Sequence, residues 1–392
     1  MKIKKNYNQK RIDYSTRLNC ILSKKDKLRN LISLKKFPVF IGCTDKPKYK
    51  DMFFDMDWSV GVSSGLIQLK HLMNPKIIYS SFHSEAVGQL WKKHNEEFSK
   101  FVIKYCDKKV LEIGGGANVI ANLCAKNKKI KNWYNFELAK INMNKIEYSK
   151  KVKYINKSVT SDYAKKIIKN ETTLVSSHVL EHLYSPIETL KTVIKNTNTK
   201  KIIFSIPNLH AYLNNKYVNV INFEHTYLLT EEILKKILSE INFKIKFKKN
   251  FKKHSIFIYA VKSEKQIKYN LPNLNKYQKI YKKNIIFYQK KITEFNKIFL
   301  KKNKKANFIF GAHIFSQYLL KMGLKENNFS YVLDNSKDKF KKRLYGTNLT
   351  VENLDIIKKI EKPIILVNMG QYQSEVEKQL KKINKKTKIV RI

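Results

Sequence analysis

The chain has 392 residues, enough for two or three domains of the usual ~100–200 residues each, and 43% of them are hydrophobic, which excludes a disordered chain. The formal net charge is +49, but lysine runs through the whole sequence, arginine is rare beside it, and Asn, Ile, Tyr and Phe are abundant, the set that A- and T-rich codons impose. That distribution excludes a dedicated basic segment and, with so few guanidinium forks to read base edges, a specific nucleic-acid partner, while leaving a field that favours acidic small molecules.

The opening MKIKKNYNQKRIDYS has no apolar core behind its basic residues, so no signal peptide is expected, and no run of about 18 apolar residues predicts a membrane span. Cys20, Cys43, Cys106 and Cys124 form no CxxC pair and suggest no disulfide framework. The expectation is a soluble cytoplasmic protein without membrane partners. Residues 1–90 read as a small irregular domain. The segment Phe82 to Phe101 reads as a helix packed on the central region, with His83 and His94 structural or facing substrate.

Residues 91–265 alternate strands and helices. VLEI (Val110 to Ile113), NWYNFE (Asn132 to Glu137), VKYINKS, TTLVSSH (Thr172 to His178) and KKIIFSIPN read as five strands. Asn-Val-Ile-Ala-Asn-Leu-Cys predicts a helix after the first. Ser185-Pro186-Ile187-Glu188 predicts a capping box at a helix start. Thr230 caps another helix, with Leu234, Ile237, Leu238 and Ile241 on one face. Strands separated by helices imply a parallel sheet, and FKIKFKKNF with HSIFIYAVK adds an antiparallel edge. Residues 266–392 comprise a Lys- and Tyr-rich helix between Tyr269 and Lys304, whose apolar face is expected at Ile280, Ile285, Ile286, Ile292, Phe295 and Ile298, then a second, smaller alternating region from Ala306.

The first central strand ends Glu112-Ile113-Gly114-Gly115-Gly116-Ala117-Asn118. A chain that leaves a strand and enters a helix at once needs glycine, which also lets a ligand approach the backbone. Ligands of open parallel sheets sit at the carboxyl ends of the strands. Glu137, 21 residues past Gly116, stands at the end of the second strand, where a carboxylate accepts ribose hydroxyls. The dinucleotide fingerprint G-x-G-x-x-G is broken, with Asn118 and Ile120 in its later positions. Glu112 suits a cationic, amino-acid-bearing ligand, which points to S-adenosylmethionine in place of NAD. The cofactor residues expected are Glu112, Gly114, Gly115, Gly116, Glu137 and His178.

The fourth strand runs into Ser177-His178-Val179-Leu180-Glu181-His182-Leu183; Ile206-Pro207-Asn208 and Phe223-Glu224-His225-Thr226-Tyr227 follow on loops at the same sheet edge. In this order EIGGG, SHVLEH, IPN and FEHTYL resemble class I S-adenosylmethionine-dependent methyltransferases, in particular the three-domain sugar C-methyltransferases. Phe310-Gly311-Ala312-His313, Tyr331 to Asn335, Lys339 and Gly346 resemble that family's last domain. The resemblance implies an α/β fold: a central Rossmann-like methyltransferase domain, a small zinc-binding N-terminal domain and a smaller Rossmann-like C-terminal domain with no catalytic role of its own. The chain departs at the zinc site. Gly65-Leu66-Ile67-Gln68-Leu69 matches, but the four thiolate positions hold Cys20, Ser23, Gly61 and Ser64. One thiolate cannot make a tetrahedral zinc site, so no zinc is expected.

The resemblance further implies a nucleotide-linked keto sugar, deprotonated beside its ketone to an enolate that takes the methyl group. His225 is the expected base, Glu224 orients it or takes the proton itself, and Tyr227 and His182 bind or polarise the keto oxygen. An O- or N-methyltransferase on another small acceptor, or a non-catalytic scaffold, stays open on the sequence.

Overall fold

The computed structural model describes residues 12–80, 88–139, 149–168 and 172–392. His83 lies outside them. Within them no helix is long and apolar enough to cross a membrane.

The N-terminal region is more regular than its sequence suggests. A 16-residue strand β1 (Ser23–Pro38) pairs antiparallel with β2 (Phe53–Gly61), which pairs with β3 (Ile67–Leu69); Asn19–Cys20 completes a four-stranded sheet. Alternation is hard to read in β1 because its register slips between Asn30 and Ile32 and again between Leu34 and Phe37, and each slip moves the buried positions to the other parity. Its lysines take the solvent face, while Leu34 and Phe37 join Met56, Trp58 and Val60 of β2 inside.

Helix α1 (Gln89–Tyr105) leads into the central domain. There follow β4 (Lys109–Ile113), α2 (Val119–Ala125), β5 (Asn132–Phe136), β6 (Val152–Ile155), β7 (Thr173–Ser177), α3 (Pro186–Thr197), β8 (Lys201–Pro207), α4 (Glu231–Glu240), β9 (Phe243–Phe251) and β10 (Ser255–Lys262). They form one seven-stranded sheet in the order β6-β5-β4-β7-β8-β10-β9. The first five strands are parallel, and β10 runs antiparallel to both β8 and β9, as the closing strand pair predicted.

The two faces of the sheet feed two cores. Val110, Trp133, Val175, Ile203 and Phe257 pack with Phe98 and Val102 of α1 and Ile120 and Cys124 of α2. Their neighbours Leu111, Phe136, Leu174, Ile202 and Phe204 face the other way, towards Leu190 of α3 and Leu234 and Ile237 of α4, and that core runs on into the N-terminal sheet. Thr230 caps α4, its hydroxyl accepting from Ile233 N at 3.3 Å, as expected. Ser185 occupies the cap position of α3, but its side chain makes no cap bond, which corrects the capping box.

Helix α5 (Asn275–Ile298) is shorter than the sequence suggested; it buries Ile285, Ile292 and Phe295 as expected, but tyrosines take other core positions. Tyr277, Tyr281, Ile285, Tyr288, Ile292 and Phe295 face the core at three- and four-residue steps, whereas Ile286 and Ile298 are exposed. The expected face overlooked tyrosine, which buries its ring and bonds through its hydroxyl: Tyr288 donates to Lys216 O at 2.5 Å.

The C-terminal domain contains β11 (Asn307–Phe310), α6 (Ile314–Lys321), β12 (Tyr331–Leu333), β13 (Val351–Glu352), β14 (Ile364–Val367), α7 (Gln373–Ile383) and β15 (Lys388–Arg391). Its five-stranded parallel sheet runs β13-β12-β11-β14-β15. Its first strand also ends in a glycine turn answered by an acid at the next strand end. Asp334 accepts from Ala312 N at 2.8 Å and from Lys339 Nζ at 3.0 Å. A Cβ at Gly311 would lie 2.6 Å from Met369 Sδ, so thioether fills the space above this turn.

The N-terminal domain docks on this unit. Cys43–Thr44 pairs antiparallel with Arg343–Leu344, and Gln317 donates to Phe40 O and Tyr345 O. Arg343 donates from both terminal nitrogens to the two Asp51 oxygens at 2.7 Å, while Asp51 also accepts from Gly346 N. The Asp51 side chain is 1% exposed. Asp51→Ala would leave a guanidinium buried without its carboxylate, at a cost of about 3–5 kcal/mol. We expect a clear drop in the urea unfolding midpoint; an unchanged midpoint would mean that the pair adds nothing to the junction.

Candidate active site

At the end of β4 the backbone enters the left-handed region at Gly114, Gly116 and Asn118, with φ of 66°, 50° and 63°. Two of the glycines are held by packing. A Cβ at Gly114 would lie 2.6 Å from the Val179 side chain, and one at Gly115 2.5 Å from the Glu112 carboxylate. Gly116 is different: nothing lies within 4 Å of its would-be Cβ, so the turn opens there. Asn135, which sequence reasoning missed, stitches the turn by accepting from Gly115 N at 3.0 Å and donating to Asn118 Oδ1 at 2.6 Å. Its signal was an amide side chain at an inward strand position one residue before the sheet edge, too common to stand out.

Glu137 reaches the open side. Its oxygens accept from Gly116 N at 3.0 Å and Ala139 N at 2.8 Å, and burial raises its pKa against those amide bonds. Each oxygen keeps a second lone pair for a hydroxyl. Glu112, by contrast, lies wholly buried beneath the turn. Trp133 Nε1 donates to one oxygen at 2.7 Å and the other has no partner, while burial pushes its pKa up to about 8. Glu112 thus lies against the backbone of the turn, where it supports Gly115. Open space at Gly116 rimmed by a carboxylate with spare lone pairs fits the ribose of S-adenosylmethionine.

His178 lies between two groups, its Nδ1 3.7 Å from Glu181 Oε1. Its Nε2 lies 2.8 Å from Ser255 Oγ, and its ring packs on Trp91, His94 and His254. Ser255 Oγ is 2.5 Å from His254 Nδ1, and His94 Nε2 is 2.8 Å from Ser205 Oγ. This is a hydrogen-bonded imidazole cluster between α1 and the sheet, in which His94 packs as a structural residue and to which His178, expected at the cofactor, also belongs.

The other motif residues converge. Among the described residues Glu181, His182 and His225 bring ligand-capable atoms within 4.8 Å of one another, as do His94, His178 and His254. The His182 and His225 rings are 5.0 Å apart. His182 Nδ1 lies 3.4 Å from Tyr79 Oη and 3.9 Å from Glu224 Oε2. Glu224 thus stands by His182. Burial lowers the His225 pKa to about 4, opposed by a hydrogen bond to the Val220 backbone. The Glu181 carboxyl is buried with neither oxygen hydrogen-bonded among the described residues, Oε1 lying 3.7 Å from His178 Nδ1, and burial pushes it up to about 8. Tyr227 is fully buried and donates to Leu180 O at 2.6 Å, so its hydroxyl is committed to the backbone and it leaves the catalytic set.

The four zinc-type positions do come together. Cys20 pairs with Ser23 across a strand turn, and its Sγ lies 3.4 Å from Ser64 Oγ. Asp26 fills the centre, accepting from Ser63 N at 2.7 Å and Ser64 N at 3.1 Å, and a Cβ at Gly61 would collide with it and with Ser64. A carboxylate gathers the turn amides here in a way the sequence did not flag.

Comparison with known families finds one model, described as "Methyltransferase domain", that matches residues 72–246. This chain is a methyltransferase. The matched span holds the glycine turn, Glu137 and the Glu181, His182 and His225 group, and it assigns the central domain to the Rossmann-like, S-adenosylmethionine-dependent class. No curated protein sequence matches the methyltransferase. Solved structures similar to it include an S-adenosylmethionine-dependent methyltransferase from Listeria monocytogenes (16% identity, 44% of this chain and 100% of that one, TM-score 0.36). A second is the PH0226 protein from Pyrococcus horikoshii OT3 (14%, 48% and 100%, TM-score 0.38).

Two tests follow from this geometry. Gly114→Val, which would force a branched side chain at φ 66° into Val179, should abolish S-adenosylmethionine binding, and Glu137→Ala should weaken it; calorimetric titration giving wild-type affinity for both would remove the pocket assignment. The second concerns acid. Burial lowers His94 and His225 to about 4 and His254 to about 3. The unfolded chain then binds protons that the folded one refuses, so stability is full above about pH 6.5 and falls as the pH drops towards 4, by about 1 kcal/mol for each such histidine at pH 5.5. The melting temperature should fall between pH 7 and 5.5, and His94→Gln should flatten that dependence.

Proposed function

We propose that this methyltransferase methylates a carbon atom of a nucleotide-linked keto-deoxysugar through an enolate. The observation that carries this reading is the convergence of His225, His182, Glu224 and Tyr79 beside the glycine turn, an imidazole pair backed by a carboxylate and a phenol. The net charge of +49 adds a field that attracts a nucleoside diphosphate.

Bound S-adenosylmethionine would supply an electrophilic methyl group, held at Glu137 and the open side of Gly116. The rest falls to side chains of the acceptor loops. His225, with one ring nitrogen tied to Val220, offers the other as a lone pair. Because burial keeps it unprotonated down to about pH 4, it is in its proton-accepting form throughout the neutral range. It takes the proton from the carbon beside the ketone. His182 donates to the keto oxygen as negative charge develops there, and Glu224 with Tyr79 fixes its ring. The enolate carbon would then take the methyl group, while a proton returned to it from His225 would give exchange with solvent.

The test is hydrogen exchange. Incubated with a panel of nucleoside-diphosphate-linked keto-deoxyhexoses in deuterated water, the enzyme should incorporate deuterium next to the ketone and then methylate that carbon, read by mass spectrometry. His225→Ala should lose both by about 100- to 10,000-fold while keeping its affinity for S-adenosylmethionine. Glu224→Gln should show a smaller loss. Near-normal turnover by His225→Ala would eliminate the base, and methylation without any exchange in the wild-type enzyme would favour an oxygen acceptor instead.

A further inference from the structure

The sequence contains five arginines among its 80 basic residues. Arginine differs from lysine in presenting a planar fork of donors that can reach several acceptors at once. Arg17 is 9% exposed, and its bonded partners among the described residues include no carboxylate. Nη1 donates to Thr226 O at 2.6 Å and to Leu69 O at 3.3 Å; Nη2 donates to Tyr184 O at 2.8 Å and to Thr226 Oγ1 at 3.3 Å. Those acceptors come from three separate segments: the third strand of the N-terminal sheet, the loop that holds Glu181 and His182, and the loop that holds Glu224 and His225.

The same three segments are joined by backbone. Leu69 N donates to Thr226 O and Leu228 N to Ile67 O, both at 2.9 Å, and Gln68 and Tyr227 form a β-bridge, so β3 lies as a strand along the acceptor loop. Thr226 N donates to Glu181 O at 2.9 Å, and its hydroxyl donates to Leu183 O at 2.9 Å. Thr226 is thus the crossing point of all three segments, and Arg17 binds both its oxygens. The residue beside it is His225.

We propose that Arg17 is a positioning residue for methyl transfer: its guanidinium, supplied by the N-terminal domain, locks the His182 and His225 loops into one register by bonding Leu69, Tyr184 and Thr226 together. The proposal rests on assigning those loops to the acceptor. It makes the N-terminal domain part of the active site even with its zinc-type positions filled by Asp26. A lysine at this position keeps the charge but has one nitrogen for acceptors that Arg17 reaches with two. The loops would then shift relative to each other, and a misplacement of about 1 Å costs on the order of 100-fold in rate.

The experiment compares the full-length wild type with Arg17→Lys and Arg17→Ala. Amide hydrogen–deuterium exchange, which needs no acceptor, should rise in the peptides covering residues 180–184 and 224–228 of Arg17→Lys while affinity for S-adenosylmethionine stays within two-fold. With the keto-sugar that serves as substrate, kcat should fall about 100-fold with KM little changed, and millimolar guanidinium should restore part of the turnover of Arg17→Ala. If Arg17→Ala does not fold, the Arg17→Lys data decide alone. Wild-type exchange in both loops of Arg17→Lys would overturn the proposal, as would loss of rate accompanied by equal loss of cofactor affinity. If no keto-sugar is turned over by the wild type, the C-methylation reading fails, and the exchange measurement still judges the clamp.

Discussion

A buried guanidinium without a carboxylate is costly, because burial penalises the charge and nothing of opposite sign repays it. Arg17 pays that penalty in carbonyl dipoles, and its pKa, lowered to about 10 by burial, still leaves it charged near neutrality. Its four bonds tie the β3 strand to the two loops that carry the imidazoles. The central sheet delivers those loops to one edge but does not set their distance from each other. The loops leave β7 and precede α4, elements that do not pair, so their relation is set by Thr226 and what binds it, together with the Tyr227 hydroxyl on Leu180 O.

The other junction uses the same chemistry with the opposite accounting. Arg343 joins the C-terminal domain to the N-terminal one through Asp51, two charges cancelling in a partly buried bidentate pair. Thus the N-terminal region meets both neighbours through arginine, in a chain with five arginines among its 80 basic residues. The uses differ as their consequences do. An ion pair that cancels its own charge is suited to holding two domains together. A lone cation held by dipoles keeps a positive potential near the acceptor loops, where a developing enolate would feel it.

The central domain was legible because each strand is short, apolar and bounded by turn residues, and because Gly114 to Gly116 and Glu137 sit at strand ends where the order of elements leaves them nowhere else to be. The N-terminal sheet was not, since two register slips in β1 break the period of two that betrays a strand. The core face of α5 was misread where tyrosine took places that counting isoleucine assigned elsewhere. Within the site, residue type pointed to the correct loops but not to partners. Tyr227 looked reactive, and its hydroxyl is spent on Leu180 O. Glu224 looked like the companion of His225 by adjacency, but both sit on a bend whose amides bond Asn222 Oδ1, and a Glu224 oxygen lies by His182. Arg17 was invisible because its acceptors are backbone carbonyls, distant in sequence, which no motif records.

The Gly311 turn with Asp334 supplies an internal control for the Gly116 turn with Glu137. Both place a glycine after a strand and an acid at the next strand end, and both acids accept an amide of the turn. The first glycine of each turn is covered by a side chain, Gly311 by the Met369 sulfur and Gly114 by Val179; the central turn differs in opening two residues further on, at Gly116. The shared pattern is therefore a device for turning a chain out of a parallel sheet, older in its logic than any cofactor. Whether such a turn becomes a binding site is decided by whether it opens past the side chain that covers its first glycine, and a duplicated copy can be retired from ligand binding without losing the turn.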